Sequence, residues 1–109
     1  MNYSVAAIAN FRKEAKKLIK KYPSLIKELD ELGSELSQNP EIGTPIGSNC
    51  FKIRISISSK GKGKSGGARI ITHVYVKGAI VFLLSIYDKS ERSSISSEEI
   101  QQLIKQAAK

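Results

Sequence analysis

Apolar residues recur at helical spacing through the first forty positions of the chain. After Asn10, a candidate N-cap, they return every three or four residues until Pro23, which ends the pattern. A second leucine stripe runs from Leu25 to Leu36 and stops before Asn39-Pro40. The spacing therefore predicts two helices that form a helical hairpin.

The second half of the chain has the patterns of strands. Residues 51–57 alternate between apolar and polar, residues 69–76 are rich in β-branched side chains, and residues 80–87 are almost continuously apolar. Lys77-Gly78 predicts the tight turn between the last two strands. Residues 41–49 contain two glycines and a proline, which predicts a loop.

The two ends of the chain complete the predicted fold. Ser96-x-x-Glu99 is a capping box that opens a final helix with an apolar face. The short apolar run Tyr3–Ile8 is either an edge strand or the start of the first helix, because periodicity alone does not separate the two. We therefore predict one α+β domain over residues 1–109, in which two N-terminal helices and a C-terminal helix flank a small, mostly antiparallel sheet.

Positive charge is concentrated in the predicted sheet. The chain has 18 Lys and Arg residues against 10 Asp and Glu, a formal charge of +8, and residues 42–87 contain seven basic residues and no acidic one. Such a field favours phosphate, either in nucleic acid or on a membrane surface. The alternative is a solvated face that only keeps the protein soluble.

The densest part of this charge lies between Phe51 and Arg69, where nineteen residues carry six cations and no acid. Lys52 and Arg54 share one face of a strand, and the glycines of Lys60-Gly-Lys-Gly-Lys-Ser-Gly-Gly-Ala-Arg69 allow the loop to fold back toward them. This pattern predicts a polyanion-binding surface. A flexible, solvated hairpin connection is the alternative for the loop. His73 lies in the middle of a predicted strand. If it shares the face of Arg69, it lies on this polyanion-binding surface.

Several other chemistries do not fit the pattern. Gly61-x-Gly63-x-x-Gly66 matches a dinucleotide-binding fingerprint in letters only, because a strand follows it where that motif needs a helix. The single cysteine, Cys50, excludes an internal disulfide and is expected to be a packing residue. The longest apolar run, Ala79–Leu84, is far shorter than the roughly 20 residues of a membrane span. We expect a cytoplasmic protein without a metal, a small-molecule cofactor or a membrane partner.

Four ordered segments resemble a known family. These segments are Cys50-Phe-Lys-Ile-Arg-Ile55, Gly63-Lys-Ser-Gly-Gly-Ala-Arg-Ile-Ile71, Val81-Phe-Leu-Leu-Ser-Ile-Tyr-Asp-Lys-Ser-Glu91 and Ile95-Ser-Ser-Glu-Glu-Ile100. They resemble the RelE/HigB superfamily of type II toxins, particularly its HigB-like branch, and the resemblance covers nearly the whole chain. It implies a RelE-like, microbial-RNase-like fold and a ribosome-dependent mRNA endonuclease that a cognate antitoxin holds inactive.

The resemblance also implies site residues. RNA cleavage without a metal uses the 2′-hydroxyl of the substrate as nucleophile, so the protein must supply proton transfer and positive charge. Lys52 and Arg54 match two basic positions of the family's first meander strand, and Arg69 matches the arginine of its Gly-x-Arg motif. Tyr87 and Lys89 match its Tyr-x-Lys and are candidates for acid–base and transition-state roles. The expected RNA-binding residues are Lys60, Lys62, Lys64 and His73.

One departure from the family pattern leaves a second function open. Some relatives carry a catalytic tyrosine after the last strand, where this chain has Ser93-Ser94-Ile95. The alternative is therefore a non-enzymatic toxin or binding module on the same fold, for example an inhibitor of DNA gyrase. For the leading hypothesis, the expected partners are a cognate antitoxin, mRNA on the ribosome and ribosomal RNA.

Overall fold

Five strands form one mixed sheet in the computed structural model, which describes residues 2–61, 63 and 66–108. The sheet has the order β1-β5-β4-β3-β2, and each neighbouring pair is antiparallel except β1 and β5, which are parallel. The sheet is therefore mostly antiparallel, as predicted. The strands are β1 (Ser4–Ala7), β2 (Thr44–Gly47), β3 (Cys50–Ile55), β4 (Ala68–Tyr75) and β5 (Ile80–Asp88).

Three helices flank this sheet in the positions that the sequence predicts. They are α1 (Ala9–Lys21), α2 (Leu25–Gln38) and α3 (Ser97–Ala107). The capping box of α3 is confirmed, because the backbone N–H of Glu99 donates to Ser96 Oγ at 3.2 Å. The predicted α+β architecture is thus confirmed.

The two faces of the sheet differ in what covers them. Ile53, Ile70 and Ile86 are direct cross-strand partners in β3, β4 and β5, and all three are buried against α1 and α2. The C-terminal end of α3 packs over the opposite face, where Ile104 and His73 line a common cavity. Because α3 covers only part of that face, the rest can carry polar side chains.

The segment predicted as a loop, residues 41–49, contains the edge strand β2, so that prediction is wrong in part. Ser48 and Asn49 have φ values of 55° and 57° and form the connection between β2 and β3. Two consecutive residues with positive φ match the tight turns that join antiparallel strands. The strand escapes detection because it has four residues, all exposed, and includes Pro45 and Gly47.

Two local predictions also need correction. Asn10 lies inside α1 and is not its N-cap; its Nδ2 donates to Leu84 O of β5 at 3.0 Å. The turn between β4 and β5 spans Val76–Ala79, and the residue with positive φ is Ala79, at 50°, rather than Gly78. The ambiguous run Tyr3–Ile8 contains strand β1, which pairs with the first half of β5.

Gly67 is required where the glycine-rich loop returns to the sheet. A Cβ added to Gly67 would lie 2.0 Å from Ile55 O, whereas one added to Gly33 in α2 meets nothing within 4 Å. We expect Gly67→Ala to lower the free energy of unfolding by about 2 kcal/mol or more, because the clash involves backbone. Gly33→Ala should raise it by up to about 1 kcal/mol. Urea unfolding of both variants tests the pair, and equal stability of Gly67→Ala and wild type would contradict the geometry.

Candidate active site

A row of three candidate residues crosses the centre of the sheet. Arg69 in β4 is the direct cross-strand partner of Arg54 in β3 and of Tyr87 in β5. Direct partners share a face and hold their Cβ atoms about 5 Å apart. The strand register therefore places two arginines and a tyrosine side by side on one face, and we call Arg54, Arg69 and Tyr87 the basic row.

Two further candidates lie beside the basic row. Lys52 stands two residues before Arg54, on the same face of β3, with Ile71 as its partner in β4. Lys89 follows the end of β5, and its backbone N–H donates to Gly67 O at 3.0 Å. The structure thus brings the five predicted catalytic residues into one region, while their catalytic roles stay predictions.

The members of the basic row differ in exposure. Arg54 is exposed and the neighbouring Lys52 is half-buried, whereas Arg69 is 3% exposed and Tyr87 is 5% exposed. Nη1 of Arg69 donates to Ala68 O at 3.2 Å. The exposure of the positive surface inferred from alternation therefore decreases across the sheet. The cation on β3 is exposed, whereas the cation on β4 and the phenol on β5 are buried.

The Tyr87 hydroxyl is buried and, among the described residues, has no hydrogen-bond partner. Burial raises the pKa of this phenol, while the charges of Arg69 and Arg92 oppose the rise in part. The raised pKa keeps the phenol protonated at neutral pH. Tyr87 can therefore donate a hydrogen bond, or a proton to a more basic departing oxygen, and a protonated phenol is unsuited to act as a base.

Arg92 lies next to the basic row, which the sequence patterns do not reveal. Its Cζ lies 5.6 Å from the centre of the Tyr87 ring, and its Nε donates to Ser94 O at 2.8 Å. Its Nη2 also forms an ion pair with Glu99, in the first turn of α3. The only sequence signal is a cation five positions after Tyr87, in a segment without periodicity. Arg92 connects the basic row to the start of α3.

Lys60, predicted to bind RNA, is engaged within the protein. Its Nζ donates to Asp88 Oδ1 at 2.7 Å and to Ser90 Oγ at 3.1 Å, and the ion-paired side chains are only 8% and 1% exposed. The pKa of Asp88 falls to about 2: burial would raise it, but the bonds from Lys60 and Ser90 outweigh that effect. RNA binding by Lys60 stays a prediction, and such binding would have to break this pair.

The depressed pKa of Asp88 predicts a specific acid sensitivity. An unfolded aspartate titrates near pH 3.9, so the stabilisation by the Asp88 carboxylate is complete above about pH 4. It should be lost as the pH falls through the folded value of about 2. We expect wild type to lose about 2 kcal/mol of unfolding free energy from this group over that window. Asp88→Asn should lack this component in urea unfolding from pH 5 to 2, and parallel curves for the two proteins would refute the assignment.

Three other residues are predicted to bind RNA. Lys62 and Lys64 lie outside the described residues. His73 is half-buried in β4, where its Nδ1 lies 3.6 Å from Cys50 Sγ, and it lines a cavity of about 190 Å³ next to α3. It shares the face of the basic row but lies four residues along β4 from Arg69. Contact of His73 with RNA stays a prediction.

Cys50 is a buried packing residue. Its side chain is 1% exposed, and burial raises the pKa of the thiol to about 11. The thiol is therefore protonated at neutral pH, which disfavours nucleophilic chemistry.

Across the described residues, no group of three or more His, Cys, Asp or Glu side chains is placed to hold a metal ion. In the same part of the chain, no helix has the length and apolar character to span a membrane.

Comparison with known proteins connects this geometry to one family. A family model described as the RelE toxin of the RelE/RelB toxin–antitoxin system matches residues 6–109. The fold is similar to that of a mutant of the E. coli toxin RelE in the free state, with 21% identity, a TM-score of 0.64, and coverage of 96% of this chain and 97% of that chain.

Two complexes contain similar chains. The toxin–antitoxin complex RelBE2 from Mycobacterium tuberculosis matches with 19% identity, a TM-score of 0.62, and coverage of 81% of this chain and 99% of that chain. The E. coli RelE mutant bound to a peptide of antitoxin RelB matches with 21% identity, a TM-score of 0.62, and coverage of 94% of each chain. These structures support the RelE-like fold, and the HigB-like branch stays a prediction.

Proposed function

Because this chain belongs to the RelE toxin family, we propose that it is a toxin that cleaves mRNA on the ribosome and that a cognate antitoxin holds it inactive. The observation that carries the proposal is the basic row, in which Arg54, Arg69 and Tyr87 are aligned by strand register. Cations and a protonated phenol on one face can supply two things that phosphodiester cleavage requires, charge stabilisation and an acid for the departing oxygen, while the base must come from another residue.

The proposed reaction needs no metal ion. The 2′-oxygen of the RNA forms a bond to the adjacent phosphorus as its proton leaves to a base. The bond from phosphorus to the 5′-oxygen then breaks, and an acid protonates the departing oxygen. The products are a 2′,3′-cyclic phosphate and a 5′-hydroxyl. Negative charge grows on the phosphate oxygens in the transition state, so fixed cations accelerate the step.

The geometry supports a division of roles. Arg69 is the proposed phosphate clamp, because its planar fork can bind two oxygens at once. Tyr87 is the proposed donor to the departing oxygen, since its raised pKa keeps the proton on the phenol. Arg54 is exposed and would meet the RNA backbone first. Lys52 and Lys89 are the remaining candidates for proton transfer and charge stabilisation.

The burial of Arg69 and Tyr87 places a condition on this mechanism. Both residues are at most 5% exposed, so the scissile phosphate reaches them only if the groups that cover them move on binding. Catalytic contacts are often incomplete in a free enzyme and tighten in the substrate complex. A buried cation also acts more strongly on a phosphate than an exposed one, because water screens it less.

The proposed partners follow from charge. With a net charge of +8, the toxin attracts mRNA and ribosomal RNA, and Lys62, Lys64 and His73 are further proposed contacts. Similar toxins have been seen with antitoxins, including a RelB peptide on E. coli RelE. We propose that an acidic or helical segment of the cognate antitoxin covers the basic row or displaces α3.

Expression of the chain without its antitoxin tests the proposed function. We expect growth arrest with fragmented transcripts and no DNA-damage response. Co-expression of the antitoxin from the same operon should restore growth. Arrest with intact transcripts and a DNA-damage response would contradict the proposal and favour a gyrase inhibitor.

A further inference from the structure

Both ends of the glycine-rich loop are fastened to one dipeptide, Asp88-Lys89. We propose that the buried Lys60–Asp88 ion pair is a latch that holds the turn Ser58–Lys60, where this loop begins, against the end of β5. Lys60 is then a positioning residue for the catalytic face and need not touch RNA. The latch itself rests on geometry, whereas its effect on cleavage rests on the proposed function.

The first end of the loop is held through Lys60. This residue ends a single 3-10 turn, Ser58–Lys60, immediately before Gly61 with φ 68°. Its Nζ reaches Asp88 Oδ1 at 2.7 Å and lies 5.6 Å from the centre of the Tyr22 ring. The ammonium group is thus held between the end of α1 and the end of β5. A cation so enclosed is not a free steering charge.

The second end of the loop is held through Gly67. Its carbonyl oxygen accepts the backbone N–H of Lys89 at 3.0 Å. No larger residue fits at Gly67, because a Cβ there would lie 2.0 Å from Ile55 O. Arg69 follows two residues later, near the start of β4. The anchoring of Gly67 therefore also fixes the position of the backbone of Arg69.

Asp88 also stabilises the turn that follows β5, next to both anchors of the loop. Its Oδ1 accepts from Lys60 and also from the backbone N–H and Oγ of Ser90, at 3.0 and 2.7 Å. Its carbonyl oxygen accepts the backbone N–H groups of Glu91 and Arg92, each at 3.0 Å. Asp88 lies between Tyr87 and Lys89 in sequence. Loss of the ion pair should therefore loosen both flanking candidates while the core of the sheet stays intact.

Removal of either ionic partner tests the latch by kinetics. Lys60→Met keeps the apolar stem and Asp88→Asn keeps the shape, so each removes one charge. Each should lower kcat by about tenfold or more with little change in KM, because misplaced catalytic groups slow the step. The double variant should be no slower than the worse single variant, since the pair acts as one unit. Lys60→Arg should retain most activity.

Salt dependence separates the latch from direct RNA binding. If Lys60 contacts an RNA phosphate, Lys60→Met should raise KM and lower the slope of log affinity against log salt by about one. That result would overturn the proposal. So would a double variant in which the kcat losses of the two single variants multiply. The latch predicts an unchanged slope. Lys77→Met, at the exposed β4–β5 turn, is the control for loss of a charge and should match wild type.

Hydrogen exchange tests the latch independently of any activity. In Lys60→Met, the amide of Lys89 should exchange at least about tenfold faster than in wild type. The amide of Val74, which donates to Asn49 O at 2.8 Å at the other end of the sheet, should keep its protection. Unchanged exchange at Lys89 would overturn the latch even if the chain cuts RNA. If wild type cuts no RNA, the proposed function fails, and this exchange result still decides the latch.

Discussion

Arg69→Ala is expected to lower mRNA cleavage by about 100-fold or more, which corresponds to about 3 kcal/mol of transition-state stabilisation. The reason is its place at the centre of the basic row, between Arg54 and Tyr87, where the residue is 3% exposed. A buried cation of fixed geometry stabilises growing phosphate charge far more than a solvated one. The rate of cleavage of a translated mRNA in a cell extract measures the loss.

Two matched variants make this result specific. Arg69→Lys keeps the charge but loses the planar fork, so its activity should fall between those of wild type and Arg69→Ala. Lys13→Ala removes an exposed cation from α1 and should leave cleavage within about twofold of wild type, since exposed charges are screened. Equal losses in Arg69→Ala and Lys13→Ala would show that only net charge matters. Thermal unfolding of each variant confirms that it is folded at the assay temperature.

Tyr87→Phe is expected to separate activity from stability. The hydroxyl is buried and has no hydrogen-bond partner in the described part of the chain, so its removal should leave the free energy of unfolding unchanged or raise it by about 1 kcal/mol. If the phenol donates the proton to the departing oxygen, cleavage should fall by about 100-fold. Urea unfolding and the cleavage assay, run on one preparation, measure both effects.

The opposite pattern would remove Tyr87 from the mechanism. A Tyr87→Phe protein that is less stable but still cleaves mRNA at the wild-type rate would assign the residue to packing alone. Tyr75→Phe is the matched control, because Tyr75 lies at the exposed end of β4, six residues from Arg69. It should change neither quantity.

Periodicity and capping were sufficient to predict most of the fold. The leucine stripe of α2 predicts a buried helix face, and Leu25 and Leu36 are fully buried. Ser96 and Glu99 predict the start of α3 because a capping box satisfies specific backbone groups. Strand alternation likewise places Lys52 and Arg54 opposite the buried Ile53 and Ile55. Each of these signals is local, so the sequence alone contains it.

Interactions between distant residues account for what the sequence could not predict. Lys60 and Asp88 are 28 positions apart, and only the return of the chain along β4 and β5 brings them within 2.7 Å. The same holds for Arg92, whose contact with Tyr87 depends on the turn after β5. The burial of Arg69 is equally invisible to alternation, which assigns a face but does not say what covers it.

The chemistry of the RNA ends is the most direct test of the central claim that this basic row cleaves translated mRNA. Purified toxin, freed of antitoxin, is added to a translating extract, and the ends of the resulting fragments are identified. We expect fragments with 2′,3′-cyclic phosphate and 5′-hydroxyl ends, formed only while the mRNA is being translated. Intact mRNA, or fragments with 5′-phosphate ends, would contradict it.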